Sequence, residues 1–264
     1  GEYHLFFQHN PMGIQWGNMT WGHAVSTDLV HWKQLEHAIY PDALGAIYSG
    51  SAVIDWANSS GFQTGDEKPM VCIYTSAGDH VDPPRPFTQS IAYSNDRGRS
   101  WTQYDGNPVL DHIEASNRDP KVFWHAPSNQ WVMALYLDAG KYLLHGSPNL
   151  KQWTKLSDVP PSGADECPDM FEMPVDGDLN NTRWVFWDGN SNYLIGHFDG
   201  ATFTPESGPF RFEHGNNFYA AQSYNDIPAE DGRRILIGWM REGKYPDMPF
   251  NQQMSFPREL QLRS

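Results

Sequence analysis

Ser26-Thr27-Asp28-Leu29-Val30-His31-Trp32 returns along the chain as Ser94-Asn95-Asp96-Arg97-Gly98-Arg99-Ser100-Trp101 and as Ser147-Pro148-Asn149-Leu150-Lys151-Gln152-Trp153. A looser copy is Phe198-Asp199-Gly200-Ala201-Thr202-Phe203. Each is a polar turn feeding an aromatic, and the aromatics stand 69, 52 and 50 residues apart. That period is close to the roughly 40 to 50 residues of a four-stranded propeller blade with loop insertions. A Ser or Asx side chain can close such a turn by accepting nearby backbone N–H groups, and the aromatic can pack between neighbouring blades. A two-sheet sandwich is the alternative, but it does not predict a repeated turn at this spacing.

Outward from these turns the strand signals agree. Tyr3 to Gln8, Val71 to Tyr74, Trp131 to Leu137, Trp184 to Trp187 and Ile235 to Met240 are short, aromatic or β-branched, and bounded by Gly, Pro, Asn or Asp. No window of a dozen residues keeps a 3.6-residue period. Four turn units and a final strand set from Tyr219 to Leu260 predict an all-β, five-bladed β-propeller, with blades near 1-42, 43-110, 111-160, 161-208 and 209-264. About 40 residues precede the second unit, room for three strands, so the first blade is expected to lack its innermost strand.

Composition narrows the partners. With 18 Lys and Arg against 32 Asp and Glu the net charge is −14, which disfavours nucleic acid and anionic membranes. The longest apolar run, Trp131 to Leu137, is far shorter than the roughly 20 residues of a membrane span, and no basic signal-peptide start is present. Cys72 and Cys167 are expected to be free thiols. Eleven histidines show no metal-ligand spacing, so neither a metal nor a cofactor is expected. A content of 11 Trp and 12 Tyr suits stacking on sugars as well as a large β-core.

In a propeller the innermost strands converge on an axial funnel, so reactive residues belong near blade starts. Two carboxylates fit. Asp119, within Asn117-Arg118-Asp119-Pro120, opens the third unit; Glu166, within Asp165-Glu166-Cys167-Pro168, opens the fourth, 47 residues later. Both run into a Pro at a strand entrance. Among 32 acidic residues the spacing alone is weak, since most carboxylates sit on solvated loops.

An ordered set of motifs covers the whole chain: Phe7-Gln8-His9-Asn10-Pro11, Trp16 to His23, Tyr48-Ser49-Gly50-Ser51-Ala52, Arg118-Asp119-Pro120, Glu166-Cys167-Pro168, Phe218-Tyr219-Ala220-Ala221-Gln222 and Gly238-Trp239-Met240. With them the chain resembles glycoside hydrolase family 32, the invertases, inulinases and levanases. Trp21-Gly22-His23 and Met248 to Gln253 look most like bacterial exo-acting members. The resemblance implies hydrolysis of terminal β-fructosyl residues of sucrose, inulin or levan with retention, using two carboxylates about 5 Å apart. It makes Glu166 the acid/base, with a pKa raised by neighbouring carboxylates, and Asp119 the transition-state stabiliser that holds fructose hydroxyls. Arg118 restrains these carboxylates, while Gln8, Trp16, Tyr48, Ser49 and Tyr219 match sugar-binding positions. Cys167 is not read as a nucleophile, because it lies in negative surroundings with no paired His.

The family's nucleophile sits in Trp-Met-Asn-Asp-Pro-Asn-Gly, and no Asp-Pro-Asn occurs in these 264 residues. Family members also carry a C-terminal β-sandwich, and Leu260 to Ser264 fall about where the propeller is expected to hand over to it. The expectation is therefore a fragment of a secreted or periplasmic enzyme, of low activity as it stands. Two alternatives remain: a propeller that binds fructans without turnover, and a fructosyltransferase.

Overall fold

The computed structural model describes residues 1–163 and 165–264. The chain is all-β: its strands form five antiparallel sheets, the five blades of a propeller. The only helical segments among the described residues are two single 3-10 turns, Gly78–His80 and Ala126–Ser128.

The first blade has three strands in the order β1 (Tyr3–His9), β2 (Thr20–Ser26) and β3 (Lys33–Gln34). The second has four, β4 (Ala46–Ile54), β5 (Met70–Ala77), β6 (Thr88–Ser94) and β7 (Thr102–Gln103). The third runs through β8 (Arg118–His125), β9 (Gln130–Asp138), β10 (Lys141–Ser147) and β11 (Thr154–Val159). The fourth holds β12 (Asp169–Val175), β13 (Asp178–Trp187), β14 (Asn192–Phe198) and β15 (Phe203–Arg211). In the fifth, β16 (Phe218–Ser223) pairs with β17 (Arg234–Met240), which also takes β18 (Gln253–Met254) and β19 (Arg258–Leu260).

The repeated turn follows the third strand in blades two, three and four but the second strand in blade one. By that register β1, β2 and β3 are the second, third and fourth strands of their blade, in line with the short first blade expected.

Side-chain oxygens close each turn on its own backbone, a local bond that needs no tertiary help. Ser26 Oγ accepts from Leu29 N at 2.8 Å and Asp28 Oδ1 from His31 N at 2.8 Å. Ser94 Oγ accepts from Gly98 N at 2.8 Å and Asp96 Oδ1 from Ser100 N at 2.9 Å; Asn149 Oδ1 and Asp199 Oδ1 do the same for Gln152 N and Thr202 N. Leu29, Arg97 and Leu150 each take left-handed backbone at the tip, with φ of 66°, 57° and 64°. Burial opposes it, yet hydrogen bonds from Ser100, Ser94 and Arg99 hold the Asp96 carboxyl down at about 2.

Cα clustering divides the chain into two compact units, Gly1–Val122 with Ser147–Trp153, and Phe123–Gly146 with Thr154–Ser264. Within each, a blade's turn docks on the blade before it. In the first unit Gly98 lies against the His4 and His23 rings, so closely that an added Cβ would stand 3.1 Å from His23. Trp101 packs edge-on against Phe6 at 5.5 Å, and the Lys151 ammonium sits 5.0 Å over Phe62. In the second unit Gly200 O accepts from Gln130 Nε2 at 2.8 Å and Ala201 O from Ser157 Oγ at 2.7 Å.

The cores centre on second strands. Every residue of β5 is buried, and Val132 to Leu135 of β9 are fully so. A strand covered on both faces needs a near-continuous apolar run, and Met70 to Tyr74 and Trp131 to Leu137 supply one each. Truncating a fully buried side chain such as Ile73 to Ala costs about 2–5 kcal/mol. Cys72, in this layer, is a buried free thiol whose pKa burial pushes up.

Candidate active site

In the first unit the residues singled out from sequence gather on β1, β4, β8 and the β1–β2 loop. Gln8 is exposed near the end of β1, opposite Trp21. Its neighbour Phe7 lies across Gly22: a Cβ there would stand 2.3 Å from Phe7 Cε2, which is why Trp21-Gly22-His23 tolerates no side chain at its centre. The loop that follows is organised by Asn10, whose Oδ1 accepts from Met12 N at 2.9 Å and whose Nδ2 donates to Gln15 O at 2.6 Å. It presents Trp16 to solvent, 65% exposed. The Trp16 ring meets Tyr48 edge-on at 5.8 Å and His80 at 5.3 Å, and Tyr48 Oη lies 2.8 Å from His80 Nε2.

Tyr48 and Ser49 occupy a β-bulge. Ile47 pairs with Ser76 and Gly50 with Tyr74, leaving two β4 residues opposite Thr75 alone. Bulges re-aim side chains at a strand's end and are frequent beside active sites. Gly50 is required by the close approach of β5, where a Cβ would stand 1.9 Å from Ile73 O. Ser51 ties β4 to β8, with Oγ donating to Pro120 O at 3.0 Å and accepting from Val122 N at 2.9 Å.

Thr75 reaches the same strand. Its Oγ1 accepts from Asp119 N at 3.0 Å and donates to Gln89 Oε1 at 2.7 Å, while Gln89 Nε2 donates to Asn117 O at 3.1 Å. This chain holds Asp119 in a left-handed conformation, φ 62°, directly before Pro120. A residue preceding Pro strongly prefers extended backbone, so the arrangement stores on the order of 1–3 kcal/mol of strain that the surrounding bonds offset. The Asp119 side chain is buried, with Oδ2 3.8 Å from Arg118 Nε, and Arg118 Nη1 donates to Ser116 O at 2.8 Å.

In the second unit Glu166 lies in the loop that leads into β12, half-buried. Its backbone is pinned from two sides: Glu166 N donates to Asp165 Oδ1 at 2.8 Å, and Glu166 O accepts from Gly189 N at 2.7 Å. Gly189 belongs to a turn built on Asp188, whose Oδ1 accepts from Asn190 N at 3.1 Å and Asn192 N at 3.0 Å and whose Oδ2 accepts from Ser162 Oγ at 3.1 Å. Burial pushes the Asp188 carboxyl up despite these donors. Gly189 has no room for a side chain, because a Cβ would stand 2.9 Å from Glu166 O and 3.2 Å from Tyr219 Cζ.

Tyr219, on β16, is buried. Its Oη lies 2.9 Å from Asp165 Oδ1 and 3.0 Å from Glu166 Oε1, with the Arg241 guanidinium 4.3 Å from its ring centroid. Burial, then the acidic groups of Glu166, Cys167 and Asp165 close by, push its phenol far above the ordinary range. Two further bonds hold Asp165: Asn190 Nδ2 donates to its Oδ2 and Tyr142 Oη to its carbonyl.

The matching backbone position to Asp119-Pro120 is Cys167-Pro168, where Cys167 is left-handed at φ 56°. Glu166 therefore corresponds to Arg118, and the parallel drawn from sequence between Asp119 and Glu166 is off by one residue. Sequence reasoning also passed over Asp165, Asp188, Gly189 and Arg241. Only Asp165 had a signal, lying inside the Glu166 motif.

The chain matches the Glycosyl hydrolases family 32 N-terminal domain over residues 1–264. It belongs to glycoside hydrolase family 32. A levanase of Bacillus subtilis is 47% identical over 287 residues, covering 100% of this chain and 42% of the levanase. An extracellular exo-inulinase of Aspergillus ficuum is 37% identical over 315 residues, covering 100% of this chain and 58% of that protein. Among solved structures, β-fructofuranosidase from Schwanniomyces occidentalis complexed with fructosyl-erythritol superposes with a TM-score of 0.88 at 34% identity, over 99% of this chain and 54% of that one. The family 32 chain thus spans about half the length of the relatives it matches.

Proposed function

We propose that the protein acts on terminal β-fructosyl residues of sucrose, inulin or levan as a retaining glycoside hydrolase, outside the cytoplasm, with no metal or cofactor. Family membership along the whole chain carries the reading, together with the placing of a buried phenol on Glu166 Oε1. Glu166 protonates the leaving glycosidic oxygen and then takes a proton from the incoming water. Asp119, held by Thr75 and restrained by Arg118, accepts hydrogen bonds from fructose hydroxyls that tighten as the ring takes on oxocarbenium character. Gln8 and Ser49 bind the sugar through hydrogen bonds, Trp16 and Tyr48 through their rings, and Tyr219 acts through its hydroxyl rather than its buried ring.

The family's nucleophile motif is absent from these residues, so the 264-residue chain by itself is expected to release fructose orders of magnitude more slowly than a form carrying Trp-Met-Asn-Asp-Pro-Asn-Gly ahead of Gly1. Fructose release from sucrose, inulin and levan by both forms, each with and without Glu166→Gln, tests this. Undiminished turnover by Glu166→Gln overturns the assignment of the acid/base. Rapid turnover by the 264-residue chain overturns that of the nucleophile.

The competing reading is a propeller that binds fructosides without cleaving them. Calorimetric titration with fructose and short fructans, run beside the turnover assay, separates the two: binding without turnover in either form selects the second.

A further inference from the structure

One phenolic hydrogen in the second unit faces two carboxylates. Tyr219 Oη is 2.9 Å from Asp165 Oδ1 and 3.0 Å from Glu166 Oε1, and a hydroxyl has a single hydrogen to donate but lone pairs with which to accept. Asp165 meets donors at both oxygens, with Glu166 N and Tyr219 Oη on Oδ1 and Asn190 Nδ2 on Oδ2, the pattern of a carboxylate that only accepts. The titratable groups around the phenol are Asp165, Glu166, the Cys167 thiol and the Arg241 guanidinium on its ring.

We propose that Asp165 is a positioning residue for the acid/base, competing with Glu166 for the Tyr219 hydrogen so that the phenol's bond follows the protonation state of Glu166. The inference rests on the reading of Glu166 as acid/base. While Glu166 carries its proton, the Tyr219 hydrogen points to Asp165, and Glu166 directs its own hydrogen at the glycosidic oxygen. When that hydrogen passes to the leaving group as the C–O bond breaks, Glu166 becomes a carboxylate and the Tyr219 hydroxyl rotates to donate to it. When Glu166 removes a proton from the attacking water, the hydroxyl rotates back to Asp165. No proton leaves Tyr219 at any stage. The backbone suits this role, since Gly189, between Glu166 and Tyr219, leaves no slack for either to drift.

Removing Asp165 leaves the hydroxyl with Glu166 at all times, which stabilises the ionised form and leaves less of Glu166 protonated to serve as the general acid. In the form of the protein that hydrolyses β-fructosides, Asp165→Ala is expected to lower kcat/KM for sucrose about tenfold, the worth of one hydrogen bond to a charged group. Its effect on an aryl β-fructoside, whose leaving group needs little protonation, is expected to be far smaller. Asp165→Asn, which keeps an acceptor, restores part of the difference, and Tyr219→Phe makes the Asp165 substitution silent. Equal losses on both substrates mean that Asp165 merely braces the loop and overturn the proposal, as does wild-type behaviour. Glu166→Gln separates the two readings: if it fails to discriminate between the substrates, it is the acid/base assignment that falls.

A second measurement needs no turnover. In the 264-residue chain labelled with 3-fluorotyrosine, the fluorine resonance assigned to Tyr219 by Tyr219→Phe is expected to move with pH as Glu166 gains or loses its proton. The movement disappears in Glu166→Gln and shrinks in Asp165→Ala. A Tyr219 resonance indifferent to both substitutions overturns the proposal.

Discussion

In residues 118–120 of the first unit the left-handed residue before proline is itself the carboxylate, Asp119; in residues 166–168 of the second it is Cys167, and the carboxylate is one residue earlier. The same backbone device serves both, with different results. Asp119 is buried on β8 and held through its own N–H by Thr75. Glu166 stays half-buried in a loop, held through its carbonyl by Gly189 and at its side chain by a phenol. Asp119 is thus locked along its own strand, whereas Glu166 is anchored by its backbone with one phenol at its carboxyl; that contrast is what the proposed division into an accepting group and a proton-transferring group requires.

The comparison breaks most visibly if its two carboxylates prove dispensable. Glu166→Gln is expected to lower kcat about 10²–10⁴-fold on sucrose, the range of a lost general acid. Asp119→Asn, which tolerates left-handed backbone, is expected to cost about 10²–10³-fold with little change in Tm. Steady-state kinetics beside thermal unfolding reads both.

A sharper probe is Gly189→Ala, which leaves every proposed reacting group in place. Its Cβ must displace Glu166 O or the Tyr219 ring, and kcat is expected to fall about tenfold or more at nearly unchanged KM. An unaltered kcat would mean that Glu166 is not held through this turn. In the other unit, Thr75→Val strips the Asp119 N–H of its acceptor and Gln89 of a donor. Denaturant titration is expected to show a loss of about 1–3 kcal/mol, with weaker catalysis, because two buried polar groups lose a partner.

The smallest expected effect at neutral pH, one that emerges only on acidification, is a pH dependence of the first unit. His23 lies beside His4, Arg99 and Glu2 and stacks on Phe6 at 4.4 Å; burial, reinforced by His4 and Arg99, lowers its pKa to about 3. The folded state therefore favours the neutral ring. The stability this contributes is present above the unfolded value near 6.5 and is lost as pH falls towards 3, by at most about 1.4 kcal/mol per pH unit. Unfolding followed between pH 7 and 3 should show a shallower slope in His23→Gln. An identical slope would remove His23 as the cause.

How much was legible follows from the range of each interaction. The turns were readable because Ser26, Ser94 and Ser147 bond residues two to four positions away, so sequence order is spatial order. Runs such as Trp131 to Leu137 announced strands covered on both faces. The short first blade was visible as a turn arriving one strand early. Tyr219 was marked by its motif, but its partners were not: Asp165 and Glu166 lie 54 and 53 residues away, and no periodicity in the chain encodes a phenol placed between them. The same holds for Gly189, a glycine whose necessity is evident only from the backbone and ring on either side of it.

By itself, then, the sequence determined the all-β class, the five repeating blades and the family motifs, because local side-chain to backbone bonds and apolar runs act within a few residues. Only the tertiary structure decided that the carboxylate of the Glu166 motif is offset by one residue from that of the Asp119 motif, and that Tyr219 turns its hydroxyl to Asp165 and Glu166. Those facts depend on how separate blades present their strand ends, and close packing sets that over distances the chain order does not record.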